Sequence, residues 1–392
     1  MDPLLIAVIA VIALALLFDF TNGFHDAANS VATVVATRAM GPRAAVAFSA
    51  FFNFLAYFFV GTAVANTVSK VVDSQYAGVG VVFAALLGAI AWNYATWWIG
   101  MPSSSSHALI GGLVGAGLSA GWIDAIDWSK VEETVLAIFI SPLVAFSIAY
   151  LAMYLVSGLQ RMTGWADNAK PFKYLQIISA GAVSFGHGAN DAQKTMGVIA
   201  ALLAGAGYSS VDVDGTLPVP EWVALLAYSA IALGTLWGGW KIIETMGLRI
   251  TTLHASSGVA ANIGATVSIF GATALGIPIS TTQAAGSSVM GAGVSSGRGI
   301  NVRVVGEMLL AWAVTIPAAA VFAFLVYRLT QLPIVAAFVA VGALLFVMGG
   351  AIAYAMTHAT KAKDVAEEIP DEPSLADHLP QHPHIEGSGP VV

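Results

Sequence analysis

Long apolar stretches follow one another along most of this 392-residue chain, and short polar segments separate them. Examples lie at residues 4–18, 44–65, 131–156 and 334–356. A helix needs about 20 mostly apolar residues to cross the hydrocarbon core of a bilayer. The repeated pattern therefore predicts an all-α polytopic membrane protein.

Charged residues between the stretches assign the loops to two sides of the membrane. Cytoplasmic loops of membrane proteins are enriched in Lys and Arg, whereas the loops at 124–133 and 212–221 are acidic and are predicted to be external. The basic, cytoplasmic loops contain Arg38 and Arg43; Arg161, Lys170 and Lys173; Lys241 and Arg249; and Arg298 and Arg303.

With these sides assigned, segment 79–118 begins and ends on the external side of the membrane. Segment 251–294 begins and ends on the cytoplasmic side. We therefore expect two re-entrant helical hairpins within an inverted-topology repeat. Segments 4–37 and 174–206 exceed the roughly 20 residues that a span requires, and each contains a Gly-rich polar motif. We expect both to be discontinuous helices.

The predicted divisions of the chain follow from this count. They are residues 1–157 (first repeat), 158–173 (a short cytoplasmic linker), 174–330 (second repeat), 334–357 (an extra transmembrane helix) and 358–392 (a disordered cytoplasmic tail).

Composition excludes several classes of protein. Only 9% of the residues are charged and 58% are hydrophobic, and there is no cysteine. Disulfides, thiolate metal sites and cysteine nucleophiles are therefore absent. The chain has no P-loop for nucleotide hydrolysis. We predict no cofactor and no nucleic-acid partner, and the net charge of −7 says little because much of it lies after His358.

Two hydroxyl-rich tracts interrupt apolar sequence in corresponding places of the two halves. They are Pro102-Ser-Ser-Ser-Ser-His107 and Pro278-Ile-Ser-Thr-Thr-Gln283. Free backbone N–H groups at a helix start, together with hydroxyl donors, suit a small oxyanion. The alternative is that these residues only cap buried helix ends. We predict that the anion is bound by Ser103, Ser104, Ser105, Ser106, Ser280, Thr281 and Thr282.

An amide-and-acid motif precedes each tract. When residues 22–29 are aligned with residues 187–194, Asp26 lies opposite Asp191. An ionisable residue at membrane depth is a candidate for function, and carboxylate and amide oxygens suit a monovalent cation. The carboxylates could instead carry a proton, or only bind backbone N–H groups. The predicted residues for the coupling cation are Asp26, Asn29, Asn190 and Asp191.

Neighbouring polar residues are assigned supporting roles at this site. Lys194 follows Asp191 by three residues, so an ion pair between them is an alternative to contact with the substrate. His25 could shuttle protons or be structural. The supporting residues are Asn22, His25, His107, His187, Gln193, Lys194 and Gln283, and weaker candidates are Asp19, Glu244 and Glu307.

These motifs resemble the inorganic phosphate transporter (PiT) family, and in particular its bacterial low-affinity Pit-type symporters. The resemblance rests on the two hydroxyl tracts, on residues 22–38 (NGFHDAANSVATVVATR) and on residues 184–194 (SFGHGANDAQK). It implies a secondary transporter with inverted repeats in the plasma (inner) membrane, and we expect a homodimer. His25-Asp26 resembles the proton-coupled members, which carry phosphate as a neutral metal complex.

We therefore predict a symporter that imports inorganic phosphate, with or without a divalent metal, coupled to a proton gradient. Sodium coupling is the first alternative. A sulfate or thiosulfate permease on the same fold is the second, because some family members carry those anions. Least favoured is an intramembrane aspartyl hydrolase that uses Asp26 and Asp191, since the hydroxyl tracts have no role in that chemistry. We predict no enzyme activity and no resident metal.

Overall fold

The computed structural model describes residues 2–212 and 216–369, and helices make up most of this part. The first half has six α-helices, which are α1 (Pro3–Ala36), α2 (Pro42–Leu55), α3 (Ala63–Ser69), α4 (Val79–Ile99), α5 (Ser105–Gly121) and α6 (Trp128–Thr163). The second half repeats this order with α7 (Lys170–Gly205), α8 (Glu221–Trp237), α9 (Trp240–Glu244), α10 (Ala255–Ala274), α11 (Thr281–Ser295) and α12 (Val302–Thr330). Two further helices follow, α13 (Ile334–Thr357) and α14 (Ala362–Glu368).

The equivalent helices α1 and α7 run in opposite directions beside each other. Asn22 contacts Asp191, whereas Thr37, which lies later in α1, contacts Gln176, which lies earlier in α7. Each half contains a long helix, a bent pair, a helical hairpin and a second long helix, in that order. This order and the opposed direction confirm the predicted inverted repeat.

Each hairpin packs on the last long helix of the other repeat. Gly115 of α5 lies against the carbonyl oxygen of Ala320 in α12, where no β-carbon would fit. At the equivalent position, Gly291 of α11 lies against the carbonyl oxygen of Phe146 in α6. Small residues allow helices in membranes to approach closely. The two repeats are therefore interlocked around the hairpins, which turn at residues 100–104 and 275–280 as the sequence predicted.

The predicted discontinuities in segments 4–37 and 174–206 are wrong, because α1 and α7 are each helical throughout. The motif glycines do not break these helices and instead allow contact with a neighbour. Gly23 lies against the carbonyl oxygen of Ile231 in α8, and Gly188 against that of Asn53 in α2. The polar side chains find partners on other elements, so no backbone carbonyl has to be freed.

The breaks lie instead in the next segment of each repeat. The helical stretch 42–58 and α3 meet at 87°, and α8 and the stretch 240–249 meet at 71°. Gly238 ends α8 with φ of 76°, a left-handed conformation that costs glycine little. The Gly238-Gly239 pair is the sequence signal that could have located this break.

Six helices in the described residues are long and apolar enough to cross a membrane, or up to eight if each bent pair counts as one span. The six include α4 and α5 but not α7. The second half of α7 is buried inside the protein, where its polar residues need no contact with lipid. Re-entrance of the two hairpins stays a prediction.

The beginning of the predicted disordered tail is ordered. Within it, α14 packs near α2 and α9, with Val365 and Ile369 buried in the core. Arg38 donates a 2.8 Å hydrogen bond to the carbonyl oxygen of Ile369. Disorder is thus wrong for residues 362–369, whose two apolar side chains four positions apart form a face that docks on the body. The rest of that segment, residues 370–392, lies outside the described residues.

The linker between the repeats is also shorter than predicted, since only residues 164–169 separate α6 and α7.

Candidate functional site

The tips of the two hairpins present matched helix starts. Ser104 caps α5 by accepting a 3.2 Å hydrogen bond from the backbone N–H of His107. Ser280 caps α11 in the same way, with a 3.1 Å bond from Gln283. The hydroxyls of both caps are thus used locally, as the alternative interpretation expected. The residues that follow, in the first turns, are free to point toward α1 and α7.

In each repeat, the first helical residue after the cap binds the motif acid. Ser105 donates a 2.9 Å hydrogen bond to Oδ2 of Asp26 and lies 2.6 Å from Oδ1 of Asn22. Thr281 donates a 3.0 Å bond to Oδ2 of Asp191. All of these side chains are buried. The aligned positions of the two motifs therefore make the same contact.

Two amides of α1 connect the half-sites. Asn22 donates across to Oδ2 of Asp191 at 3.4 Å. Asn29 donates to the hydroxyls of Thr281 and Thr282, each at 3.2 Å. Residues of the first repeat therefore contact both the acid and the hydroxyls of the second, which makes one continuous polar cluster.

Lys194 provides the positive charge of this cluster. Its Nζ contacts Oδ1 of Asp191 and Oγ of Ser106, and donates a 2.7 Å bond to the carbonyl oxygen of Ile279. Ser106 also donates to that carbonyl at 3.1 Å. The side chain thus makes the ion pair considered from the sequence and also contacts the first hydroxyl tract.

A histidine lies beside each acid. Nδ1 of His25 is 2.7 Å from Oδ1 of Asp26, and its Nε2 is 3.0 Å from the hydroxyl of Thr96. Nε2 of His187 is 3.3 Å from Oδ2 of Asp191. Asp26 can thus exchange a proton with the imidazole hydrogen-bonded to it, whereas Nε2 of His187 lies near Asp191 without a hydrogen bond among the described residues.

Three of these residues offer ligand atoms close enough for a shared cation. One ligand atom each from Asp26, His187 and Asp191 lies within 4.8 Å of the others, and all three residues are buried. Lys194 competes with any such cation for Asp191, because its ammonium already pairs with that carboxylate.

Other predicted residues lie at the edge of this cluster. Ser103 is turned away, since its hydroxyl lies 2.7 Å from that of Thr315. Asn190 holds the second hairpin through a 2.9 Å bond to Thr273. Gln193 accepts a 2.9 Å bond from the backbone N–H of Val64 and so caps α3.

His107 and Gln283 occupy equivalent places one turn into α5 and α11. Both are buried, and neither imidazole nitrogen of His107 nor Oε1 of Gln283 has a hydrogen-bond partner among the described residues. Both lie near the hydroxyl tracts, and the structure shows no contact of either with Asp26 or Asp191.

Sequence reasoning missed the residues that hold the motif from the bent helices. Asn53 of α2 lies 3.2 Å from Nδ1 of His187 and donates a 2.8 Å bond to Thr235 of α8. Thr235 also bonds the carbonyl oxygen of Gly23 at 3.2 Å. The signal was an asparagine in an otherwise apolar stretch, which is rare in membrane helices unless it has a partner.

Two of the three weaker candidates have arginine partners. Glu244 pairs with Arg249, and Glu307 lies 3.2 Å from Arg303. The third, Asp19, is buried and has no hydrogen-bond partner among the described residues.

Comparisons with known proteins point to phosphate transporters, as the two motifs do. The model of the phosphate transporter family matches residues 22–167 and 159–323. A probable low-affinity inorganic phosphate transporter of Rhizobium meliloti (strain 1021) is 48% identical over 329 residues, which is 83% of this chain and 96% of that protein. One of Bacillus subtilis (strain 168) is 40% identical, over 83% of this chain and 98% of that protein. Among solved structures, a sodium-dependent phosphate transporter superimposes with a TM-score of 0.74 at 26% identity, over 83% of this chain and 99% of that chain.

Proposed function

The chain belongs to the phosphate transporter family, and we propose that it is a symporter that imports inorganic phosphate together with protons. It is a multi-pass membrane protein and a transporter of phosphate, as its family and its apolar helices show, and not an enzyme. The proposal concerns the coupling cation and the residues that bind each ion.

The charge balance of the cluster carries the proposal. The acids Asp26 and Asp191 are both buried there, and Lys194 is the one ammonium that contacts the hydroxyl tracts among the described residues. Phosphate adds at least one more negative charge. Burying unpaired like charges at low dielectric is very unfavourable. An anion therefore enters this cluster only with cations that neutralise the acids, which is what a symporter requires.

The hydrogen bonds of the cluster suggest how binding is coupled. The hydroxyls of Ser105 and Thr281 donate to Asp26 and Asp191, although these are the donors that a phosphate oxygen would need. A neutralised acid is a weaker acceptor than a carboxylate, because hydrogen bonds to ionised groups are the stronger ones. Neutralising the acids therefore releases the hydroxyls to the anion.

The imidazoles favour protons as the coupling cation. His25 is hydrogen-bonded to Asp26, so a proton can be shared within that pair, and Nε2 of His187 lies 3.3 Å from Asp191. Sodium is the second candidate, and the observation that favours it is the similarity to a sodium-dependent phosphate transporter. Carboxylate and amide oxygens of Asp26 and Asn29, and of Asn190 and Asp191, would then bind the ion. A divalent metal that travels with phosphate, a homodimer and a plasma-membrane location stay predictions.

Phosphate is preferred to sulfate on chemical grounds. Near neutral pH, phosphate still carries a hydroxyl that can donate a hydrogen bond, whereas sulfate does not. An ionised aspartate only accepts hydrogen bonds. This preference requires one ionised acid beside the anion, and Asp191 can stay ionised while protons neutralise Asp26, because Lys194 balances its charge.

Uptake into proteoliposomes tests the proposal. The purified protein is reconstituted, and labelled phosphate is followed under an inward proton gradient or an inward sodium gradient. We expect accumulation with the proton gradient and its loss in Asp26→Asn and Asp191→Asn. Accumulation with sodium alone would overturn proton coupling and favour the second candidate. Labelled sulfate accumulating in place of phosphate would overturn the substrate.

A further inference from the structure

Asp19 is a third buried acid on the same helix as Asp26, and it differs from the two motif acids. Its side chain is 0% exposed, and neither carboxylate oxygen has a hydrogen-bond partner in the described residues. Asp26 has His25 beside it, and Asp191 has Lys194 and His187. Asp19 thus has no basic residue in contact to balance its charge.

The groups around Asp19 are also polar, and two of them are unpaired. Thr195 of α7 and Asn22 of α1 lie near its carboxyl group, although neither makes a hydrogen bond with it among the described residues, and the charge of Asp19 acts on Tyr228 of α8. The hydroxyls of Thr195 and Tyr228 are buried and, like Asp19, have no hydrogen-bond partner among the described residues. Two buried hydroxyls on two other helices therefore lie in the neighbourhood of Asp19 with their hydrogen bonds unused.

An ionised carboxylate in such a place is strongly disfavoured, because it loses its hydration and gains no positive partner. A protonated carboxyl group is neutral and can both donate and accept hydrogen bonds. It would therefore suit the hydroxyls of Thr195 and Tyr228. The surroundings favour a state of Asp19 in which the acid holds a cation, and the simplest such cation is a proton.

The acid is not required by the fold. The repeat alignment that places Asp26 opposite Asp191 places Asp19 opposite Ser184. Ser184 is buried at the equivalent point of α7 and donates a 2.7 Å bond to the carbonyl oxygen of Ala180. A small neutral residue is therefore sufficient at this position in the second repeat. The first repeat has an acid at this position, although burial of its charge is unfavourable.

Polar groups lead from Asp19 toward the surface. The ring of Tyr228 packs edge-on against that of Tyr57, with centroids 5.9 Å apart. The hydroxyl of Tyr57 donates a 3.2 Å bond to Oε1 of Glu221, which is exposed at the start of α8 in the loop predicted to be external. Phenol hydroxyls can both donate and accept protons in hydrogen bonds. No hydrogen bond joins the hydroxyls of Tyr228 and Tyr57, so this row indicates the external side as the nearer source of a proton without forming a continuous path to it.

We propose that Asp19, with Thr195 and Tyr228, forms a proton-binding site that is separate from the hydroxyl tracts and serves the coupling of phosphate uptake. This inference rests on the proposed function, since it concerns the cation that accompanies phosphate. The other groups that act on Asp19 are the charges of Asp191 and Lys194 on α7. Proton binding at Asp19 is thereby linked electrostatically to the phosphate site: an added anion there favours the protonated acid.

The test compares coupled uptake with uncoupled exchange in proteoliposomes. Asp19→Asn mimics the permanently protonated acid. We expect it to lower the number of protons taken up per phosphate and to reduce accumulation under a proton gradient, while exchange of internal for external phosphate persists. Ser184→Ala, at the equivalent position of the second repeat, is the matched control and is expected to retain the wild-type ratio.

The outcomes separate this inference from the proposed function. If the wild-type protein shows no proton-driven uptake, the proposed function fails whatever Asp19 does. If Asp19→Asn keeps the wild-type ratio of protons to phosphate, Asp19 is not a coupling site.

A spectroscopic readout does not depend on transport. We expect the wild-type protein in detergent at neutral pH to show an infrared C=O band of a protonated carboxylic acid that is missing in Asp19→Asn. Asp19→Ser, which copies the second repeat, is measured as well in case the amide variant folds poorly. An unchanged band in a folded variant would overturn the inference.

Discussion

The hydroxyl of Ser105 donates a 2.9 Å hydrogen bond to Oδ2 of Asp26. Its counterpart in the second repeat, Thr281, makes the matching bond to Asp191 at 3.0 Å. The donors of two opposed helix starts are thus paired with two acids, and both half-sites are joined by Asn22 and Asn29. Binding of an anion and neutralisation of the acids are therefore expected to depend on each other.

Removing the hydroxyl of Ser105 is expected to weaken phosphate binding. A hydrogen bond to a charged group contributes about 1.5–3 kcal/mol, so Ser105→Ala should raise KM for phosphate about tenfold or more. Ser103→Ala is the neighbouring comparison, because Ser103 bonds Thr315 and Trp92 instead. If both changes raise KM equally in uptake assays, Ser105 does not contribute more to phosphate binding than Ser103, which contradicts the prediction.

Removing the lysine of the buried Lys194–Asp191 ion pair should destabilise the fold. Lys194→Met leaves Asp191 buried without its ammonium partner, which for a buried pair costs about 3–5 kcal/mol. Adding Asp191→Asn removes the unpaired charge and is expected to recover most of the melting temperature in detergent, but not transport. A double variant that melts as low as Lys194→Met would contradict the pairing.

The contact made by Gly188 should not tolerate a methyl group. Gly188→Ala would place a β-carbon against the backbone of Asn53, and overpacking of this kind costs about 1–3 kcal/mol. Gly158→Ala is the control, because nothing lies within 4 Å of the position that its β-carbon would take in α6. It should be neutral or slightly stabilising, since alanine favours helices more than glycine. Thermal unfolding of both variants measures the difference.

Asp167, in the loop between the repeats, should make stability depend on pH. Burial alone would raise the pKa of its carboxyl group, but hydrogen bonds from Gln160 and Ser256 and the charge of Arg298 outweigh it and hold the pKa below its usual value. Since the folded pKa is depressed, the stabilisation is present above the unfolded pKa of about 3.9 and is lost as pH falls through the folded pKa.

Melting temperatures of the wild type and of Asp167→Asn, measured against pH, test this. The difference between the two melting temperatures should be constant near neutral pH and should disappear below about pH 4. Asp124→Asn, on an exposed position of another loop, is the control. A difference in melting temperature that grows as the pH falls would contradict the prediction.

The repeat, the hairpin turns and the central polar residues could be predicted from the sequence. Polar side chains in apolar stretches are costly unless they have partners or a function, so residues such as Asp26, Asp191 and the hydroxyl tracts are conspicuous. Charge bias in the loops was enough to show that the two halves are inverted.

The remainder depends on packing that no local pattern contains. The Gly-rich motifs in segments 4–37 and 174–206 predict breaks there, whereas Gly23 and Gly188 in those motifs let α8 and α2 approach. Whether a glycine bends its own helix or admits another one is decided by the neighbour. The same holds for Asn53, whose role follows from its contacts with His187 and Thr235.

Equilibrium binding of labelled phosphate to the purified protein tests most directly whether both hairpins form one site. We predict one phosphate bound per chain in the wild type, and binding weaker by about tenfold or more in Ser105→Ala and equally in Thr281→Ala, because each change removes a donor from the same site. Two independent binding events per chain, or wild-type affinity in either variant, would contradict it.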